Sequence, residues 1–284
     1  MAVTLSEAVL GRYRRFSCYN SPYPAHDHGC AIDCYPGTTR APSPVAGTVL
    51  DVRTVDAPPR PYAAAHDHLL LVDTGEHVAR ILHVDPIVEP GDVVAVGDDL
   101  GPLVRAGFFA PWVDDHLHLG FREHDVDPYR ASGSLPIDVD VAIEPLAWDG
   151  TGTVVEVSET YVVLDAPAHP EPGRGFVGIE ADGGGVLDGG LPHYAVGGLL
   201  DGGPGPVEFL GREVGRATRR SDAQSACDVR WDDVDLLADG VPIHGLSLSI
   251  ARDGAFGAKL VGPPTSLGLG DRVTVTIEPK RCQQ

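Results

Sequence analysis

Glycine and proline occur so often in this chain that long uninterrupted helices are not expected. The sequence contains 35 Gly and 25 Pro among 284 residues, and both residue types are typical of turns. The runs between these turns are short and rich in Val, which favours β-strands. The frequency of turns therefore predicts an all-β fold.

The length of the chain and a change in its composition predict two domains. A chain of 284 residues is long for one domain and sufficient for two that each bury a core. The segment 124–150 is polar and contains Pro, and a strand pattern restarts at Gly150. We therefore predict a helical or extended lead at 1–24, a β-barrel domain at 25–145, and a second β-rich domain of unassigned role at 146–284.

Two local expectations accompany this division. Leu5, Val9 and Leu10 can share one helix face, which predicts a short helix within residues 3–16. The stretch 182–205 is rich in Gly and poor in apolar residues. That composition predicts a long loop or several tight turns rather than core strands.

The net charge of the chain is −20, from 41 acidic and 21 basic residues. Such a charge repels nucleic acid, so we expect no nucleic-acid partner. An acidic, Lys-poor surface is typical of proteins that stay hydrated at high salt, where screening reduces self-repulsion. The composition therefore favours a halophilic protein over a site for cationic substrates.

The cysteines and the apolar runs both argue against an exported or membrane protein. The five Cys residues show no repeated Cys-x-x-Cys spacing, which disfavours a secreted disulfide framework. The first 15 residues lack an apolar core of signal-peptide length, and no run approaches the ~18 apolar residues of a membrane helix. We expect a cytoplasmic protein without a membrane partner.

The sharpest candidate site is the motif His116-Leu-His118. Alternate residues of a strand face the same side, so both imidazoles would lie on one face, about 7 Å apart, with the leucines beside His118 directed into the core. One imidazole can bind a metal while the other holds or relays a proton. Asp114 or Asp115 could orient an imidazole by a hydrogen bond.

A second cluster of metal-type donors lies near the start of the predicted barrel. His26, His28, Cys30, Asp33 and Cys34 fall within nine residues. Nitrogen, sulfur and oxygen donors at this density suit zinc.

These elements follow one another as they do in a known family. A His…Asp pair, a single His83 at the end of a strand and a His-x-His motif resemble the lysostaphin-type zinc endopeptidases. The resemblance covers about residues 25–122. It is carried by the runs Ile32-Asp33-Cys-Tyr-Pro-Gly-Thr-Thr-Arg-Ala-Pro-Ser-Pro-Val-Ala-Gly-Thr-Val49, His68-Leu-Leu-Leu-Val-Asp-Thr-Gly75, Ile81-Leu-His83, Val88-Glu-Pro-Gly-Asp-Val-Val-Ala-Val-Gly-Asp-Asp-Leu-Gly101 and His116-Leu-His-Leu-Gly-Phe121.

The resemblance implies a fold, a metal and a reaction. The fold would be the duplicated-hybrid-motif β-barrel of that family, and His28, Asp33 and His118 would bind zinc. His116 would flank a water as base, and His83 would flank it as transition-state stabiliser. The implied activity is hydrolysis of an amide bond in a peptide or peptidoglycan-like substrate.

The spacing of the first two ligands departs from the family pattern. His28 and Asp33 are five residues apart, an odd offset that places them on opposite faces of a regular strand, whereas the family spacing is four. A bulge at Gly29 would bring them together. Alternatively, Cys30 replaces or joins the histidine as a thiolate ligand.

Other interpretations stay open at this stage. Phe108, Phe109 and Trp112, ahead of the His-x-His motif, either wall a substrate groove or seal the domain. The centre could instead hold metal structurally, or bind a peptide or glycan without cleaving it. A barrel interaction module without catalysis is a further alternative. A lysine-carrier role is excluded because both Lys residues, Lys259 and Lys280, lie in the second half.

Overall fold

The computed structural model of the chain describes residues 2–220 and 226–280, and strands joined by turns make up most of them. The chain divides into two units, residues 1–18 with 23–141 and residues 19–22 with 142–284. The expected all-β class with two β-rich domains is confirmed, whereas the lysostaphin-type barrel stays a prediction. Within the described ranges, no helix has the length and apolar character needed to span a membrane.

The first unit contains one large antiparallel sheet and two small strand pairs. Its elements are β1 (Val3–Ser6), α1 (Glu7–Leu10), β2 (Arg15–Ser17), a 3₁₀ segment (Pro24–Gly29), β3 (Ala31–Tyr35), β4 (Arg40–Pro42), β5 (Gly47–Asp56), β6 (His66–Asp73), β7 (Val78–Leu82), β8 (Val93–Val94), β9 (Asp99–Pro102), β10 (Leu117–Arg122) and β11 (Ile137–Asp140). The strands of the large sheet lie in the order β2-β3-β10-β7-β6-β5-β8. Strand β1 pairs in parallel with β11, and β4 pairs with β9.

The predicted lead is folded into this unit. The helix expected within residues 3–16 is limited to the single turn of α1. Residues 3–6 are instead the strand β1, since Leu5 pairs with Val139 and its side chain is buried. Strand pairing with a distant segment has therefore overridden the local helical pattern.

One face of the large sheet forms a continuous apolar layer. Ile32, Leu119, Ile81 and Leu70 lie opposite one another on β3, β10, β7 and β6, and all four are fully buried. Because side chains alternate along a strand, the next residue on each strand faces the other side. That register brings the candidate site residues together on the opposite face.

The second unit is a larger, mostly antiparallel assembly. Its strands are β12 (Ile143–Leu146), β13 (Thr151–Val157), β14 (Tyr161–Leu164), β15 (Phe176–Ile179), β16 (Val186–Leu191), β17 (Val196–Leu200), β18 (Gly205–Phe209), β19 (Arg212–Arg219), β20 (Ala226–Trp231), β21 (Val234–Ala238), β22 (Val241–Ile243), β23 (Gly245–Leu248), β24 (Ile250–Ala251), β25 (Lys259–Val261) and β26 (Arg272–Pro279). The main sheet has the order β18-β19-β20-β17-β16-β23-β25-β14-β13-β26-β21-β22. Strand β15 pairs with β12 in parallel and with β24 antiparallel.

The expectation of a loop at 182–205 is wrong, because β16 and β17 lie there as buried strands of the main sheet. Aromatic rings occupy the space that side chains would need. A Cβ atom on Gly197 would lie 2.1 Å from the Trp231 ring, and one on Gly198 would lie 2.4 Å from the Tyr19 ring. These glycines therefore let large rings from elsewhere in the unit cover the strand.

Candidate metal centre

Strand register places Asp33 and His118 side by side on the face opposite the apolar layer. Asp33 on β3 is the direct partner of His118 on β10. The Nδ1 atom of His118 lies 3.0 Å from Oδ1 of Asp33. Both side chains are buried, with 3% and 7% of their surface exposed. These two predicted ligands are therefore brought together by ordinary antiparallel pairing.

His26 completes a triangle of donor atoms with this pair. Its Nε2 atom lies 3.1 Å from Nδ1 of His118 and 3.3 Å from Oδ1 of Asp33. Its Nδ1 atom lies 2.9 Å from the carbonyl oxygen of Cys18. A carbonyl oxygen only accepts hydrogen bonds, so Nδ1 of His26 carries the proton. Its Nε2 atom then has a lone pair directed towards the potential ligand atoms of Asp33 and His118.

The triangle fits a small divalent cation. Ligands about 2.0–2.1 Å from a tetrahedral zinc lie roughly 3.3 Å apart, and the three distances here are 3.0, 3.1 and 3.3 Å. Two imidazoles and one carboxylate are a zinc-type donor set that leaves a fourth position for another ligand. Among the described residues, His26, Asp33 and His118 form a group of potential ligands whose atoms all lie within 4.8 Å of one another.

The charge states of Asp33 and His118 also suit a cation. Burial alone would raise the pKa of Asp33, but the neighbouring His116 and His26 rings and the hydrogen bonds with His116 and His118 hold it well below its ordinary value. Burial lowers the pKa of His118 to about 4. At neutral pH the group therefore combines a carboxylate with a neutral imidazole, as metal binding requires.

The predicted first ligand, His28, is not part of this group. Its side chain is exposed, and the chain at Asp27 and His28 leaves the 3₁₀ conformation, with φ of 56° at His28. The strand offset between His28 and Asp33 would apply only if residues 28–33 formed one strand, but β3 begins at Ala31. The nearest candidate ligand is therefore His26, and a bulge at Gly29 is not the device that brings the donors together.

The cysteines near the centre do not join it. Cys34 follows Asp33 on β3 and so faces the apolar layer; it is fully buried, and burial raises the pKa of its thiol well above the ordinary value. The sulfur of Cys30 lies 3.9 Å from the carbonyl oxygen of His28. The described donor triangle contains nitrogen and oxygen atoms and no sulfur.

His116 lies beside the triangle, immediately before β10. Its Nε2 atom is 3.4 Å from Oδ2 of Asp33. The backbone carbonyl of Asp114 accepts a 2.8 Å hydrogen bond from its Nδ1 atom. The expectation that an aspartate carboxylate orients this imidazole is therefore corrected, because the carboxylates of Asp114 and Asp115 form ion pairs with Arg15 and Arg105.

His83 reaches the same face from the end of β7. Its ring centroid lies 5.3 Å from that of His116 and 5.9 Å from that of His118. Its backbone is left-handed, with φ of 69°, a conformation that costs energy for a residue with a Cβ atom. All the predicted site residues except His28 thus converge on one side of the sheet.

Asp67, which sequence reasoning missed, holds His83 in this position. It is fully buried and accepts hydrogen bonds from the backbone N–H of His83 at 3.0 Å and of His68 at 2.8 Å. Its other oxygen lies 2.6 Å from Nδ1 of His83. A charged residue near the start of an apolar strand was the available signal, since buried carboxylates need partners.

The comparisons with known proteins assign the chain to a family. Residues 4–139 match the N-terminal domain of a domain of unknown function, DUF8155, and residues 144–278 match the C-terminal domain of the same family. The chain therefore belongs to the DUF8155 family. No curated protein and no solved structure matches it.

Proposed function

We propose that the N-terminal unit binds one zinc ion through His26, Asp33 and His118 and hydrolyses an amide or related acyl bond beside it. The observation that carries this proposal is the buried triangle of two nitrogen atoms and one oxygen atom, 3.0–3.3 Å apart. The resemblance of residues 25–122 to lysostaphin-type endopeptidases supports the same chemistry. When bound, zinc polarises a carbonyl group and makes water a nucleophile near neutral pH.

The two neighbouring imidazoles supply proton transfer and charge stabilisation. Because Nδ1 of His116 donates to the carbonyl of Asp114, its Nε2 is the basic nitrogen and can take a proton from water. His83 donates through Nδ1 to Asp67, which fixes the orientation of its ring and directs Nε2 away from Asp67. A protonated His83 can then donate from Nε2 to the oxygen on which negative charge develops.

A metal centre that stabilises the unit without hydrolysis is the second candidate. The burial of the site favours it, because His26, Asp33, His83, His116 and His118 are each at most 7% exposed. Structural zinc sites are closed, whereas catalytic sites keep a position for water or substrate. Both candidate functions require the bound ion, and they differ in whether the protein hydrolyses a substrate.

The neighbouring histidines His26 and His28 provide a matched pair for testing the ligand set. We expect His26→Ala to lower zinc affinity by at least about 100-fold, because a ligand is lost and loss of an outer-shell partner alone costs 10–100-fold. We expect His28→Ala to bind zinc as the unaltered chain does. Competition with a chromophoric chelator, on protein purified without a histidine tag, measures both. Equal affinities of the two variants, or a larger loss in His28→Ala, would remove His26 from the ligand set.

Substitution of His116 separates the two candidate functions. In the zinc-loaded protein, we expect His116→Ala to retain the ion and to lower the hydrolysis of p-nitrophenyl acetate by about 10²–10⁴-fold, the usual contribution of a general base. His124→Ala, an exposed histidine beyond β10, is the control. Zinc-loaded protein that does not hydrolyse this ester above the rate of free zinc would favour the non-catalytic centre.

A further inference from the structure

An aromatic ring covers the two imidazoles that would act beside the ion. The Phe109 ring stacks on that of His116, with centroids 4.2 Å apart, and meets the edge of the His83 ring at 4.6 Å. The Tyr35 ring also contacts that of His116, with centroids 4.9 Å apart. Phe109 is itself buried, so the space in front of both imidazoles is narrow.

The segment that carries Phe109 is held in place by several contacts. Arg105 donates hydrogen bonds to the carbonyls of Val113 and Pro111, at 2.8 and 3.1 Å. The hydroxyl of Tyr62 donates to the carbonyl of Phe109 at 2.9 Å. A Cβ atom on Gly107 would lie 1.8 Å from a backbone oxygen, which shows how closely this segment packs. Phe109 is therefore a fixed wall of the site rather than a mobile flap.

A second segment, residues 128–134, fills the space on the other side of the centre and is called the covering segment below. Gly120 is the next residue of β10 on the same face as His118, and a Cβ atom there would lie 2.9 Å from Oγ of Ser134. An extended polymer lying along β10 would need this space. The face beyond His118 is thus covered as well.

Two buried arginines fasten this covering segment to the sheet. Arg122 donates from Nη2 to the carbonyls of Arg130 and Ser132, both at 2.9 Å. Arg80 donates from Nε to the carbonyl of Pro128 at 2.5 Å. Hydrogen bonds from charged donors are the stronger kind, so the covering segment is a built part of the unit.

We infer that the centre admits small acyl compounds, of a few heavy atoms beyond the carbonyl group, and excludes peptide or glycan polymers, with Phe109 as the residue that sets the limit. This inference rests on the proposed function and narrows its substrate class. The physical reason is that Phe109 on one side and Ser134 on the other occupy space that a chain lying across the centre would need. It replaces the peptidoglycan-like substrate that the family resemblance implies.

Hydroxamates of two sizes test the inference in protein loaded with cobalt(II). The visible spectrum of cobalt(II) reports both occupancy of the centre and binding of a further ligand. We expect acetohydroxamate to change the spectrum at concentrations about 100-fold lower than the hydroxamate of N-acetyl-dialanine. In Phe109→Ala we expect the larger compound to bind at least about 10-fold more tightly, and acetohydroxamate to bind within about threefold of its original affinity.

The control is Phe108→Ala, since this ring is less buried and its centroid lies 6.2 Å from that of His83. Phe109→Leu, which keeps an apolar side chain, replaces the alanine variant if that variant does not hold cobalt. Failure of the unaltered chain to bind cobalt would overturn the proposed function. Cobalt bound with equal affinities for the two hydroxamates, or an unchanged ratio in both Phe109 variants, would overturn the size limit and leave the metal centre intact.

Discussion

His118→Ala is expected to lose tight zinc binding, with a fall in affinity of more than about 100-fold. His118 is the residue through which the triangle is joined, because its Nδ1 atom lies within 3.1 Å of both the Asp33 carboxylate and the His26 ring. Its removal leaves one imidazole and one carboxylate, too few ligands to hold a zinc ion tightly. Isothermal titration with zinc, after removal of bound metal, measures the change.

The control for His118→Ala is an exposed histidine just beyond the end of β10. His124 is about half exposed and pairs with Asp73, so His124→Ala is expected to leave zinc affinity unchanged. Because His118 is buried, His118→Gln serves as a variant of similar volume and must show the same loss. One full equivalent of tightly bound zinc in both His118 variants would show that the ion, if present, lies elsewhere.

Asp67→Ala is expected to lower the free energy of unfolding by about 3 kcal/mol, the largest stability effect we predict. The substitution removes the acceptor of three hydrogen bonds, two of them from His83. It also removes the contacts that hold His83 in its left-handed conformation. Urea unfolding of the full chain, followed by circular dichroism, measures the loss.

The matched control for Asp67→Ala lies on the same strand. Asp73, at the other end of β6, is partly exposed and bonds to the N–H of Gly75 and to His124. Asp73→Ala is expected to cost much less, because water can replace these partners. Similar losses in the two variants would show that Asp67 has no special role in positioning His83.

The contribution of Asp67 to the free energy of unfolding also depends on pH. Burial raises the pKa of this carboxyl, but the hydrogen bonds and the charge of His83 outweigh burial, so the pKa lies below its ordinary value. A lowered folded-state pKa stabilises the fold above the unfolded value of about 3.9. The difference between the unaltered chain and Asp67→Asn should therefore shrink as the pH falls through the folded-state value.

Most of the correct sequence predictions came from the alternation of side chains along a β-strand. The alternation in His116-Leu-His118 predicted imidazoles on one face and leucines in a core, and both leucines beside His118 are fully buried. Asp33 and His118 then meet because β3 and β10 pair in register. The rule that alternate residues face the same side applies here because these residues lie in or next to regular strands.

The errors fall where the chain is not a regular strand. His28 was predicted as a ligand from the family resemblance, and its offset from Asp33 was judged by the strand period, which does not apply because residues 24–29 form a 3₁₀ segment. Asp67 was missed because its partner His83 is 16 residues away and the two meet only through the β6–β7 pairing. The buried strands at Gly197 and Gly198 were missed because their covering rings come from distant positions.

X-ray absorption of the zinc-loaded protein tests the central claim most directly, because it reports the atoms bound to the ion. A centre built from His26, Asp33 and His118 predicts a first shell of nitrogen and oxygen at about 2.0–2.1 Å, with imidazole scattering and no sulfur. A sulfur shell at about 2.3 Å would contradict the account, because it would make a cysteine such as Cys30 a ligand. Protein that retains no zinc after loading would contradict it as well.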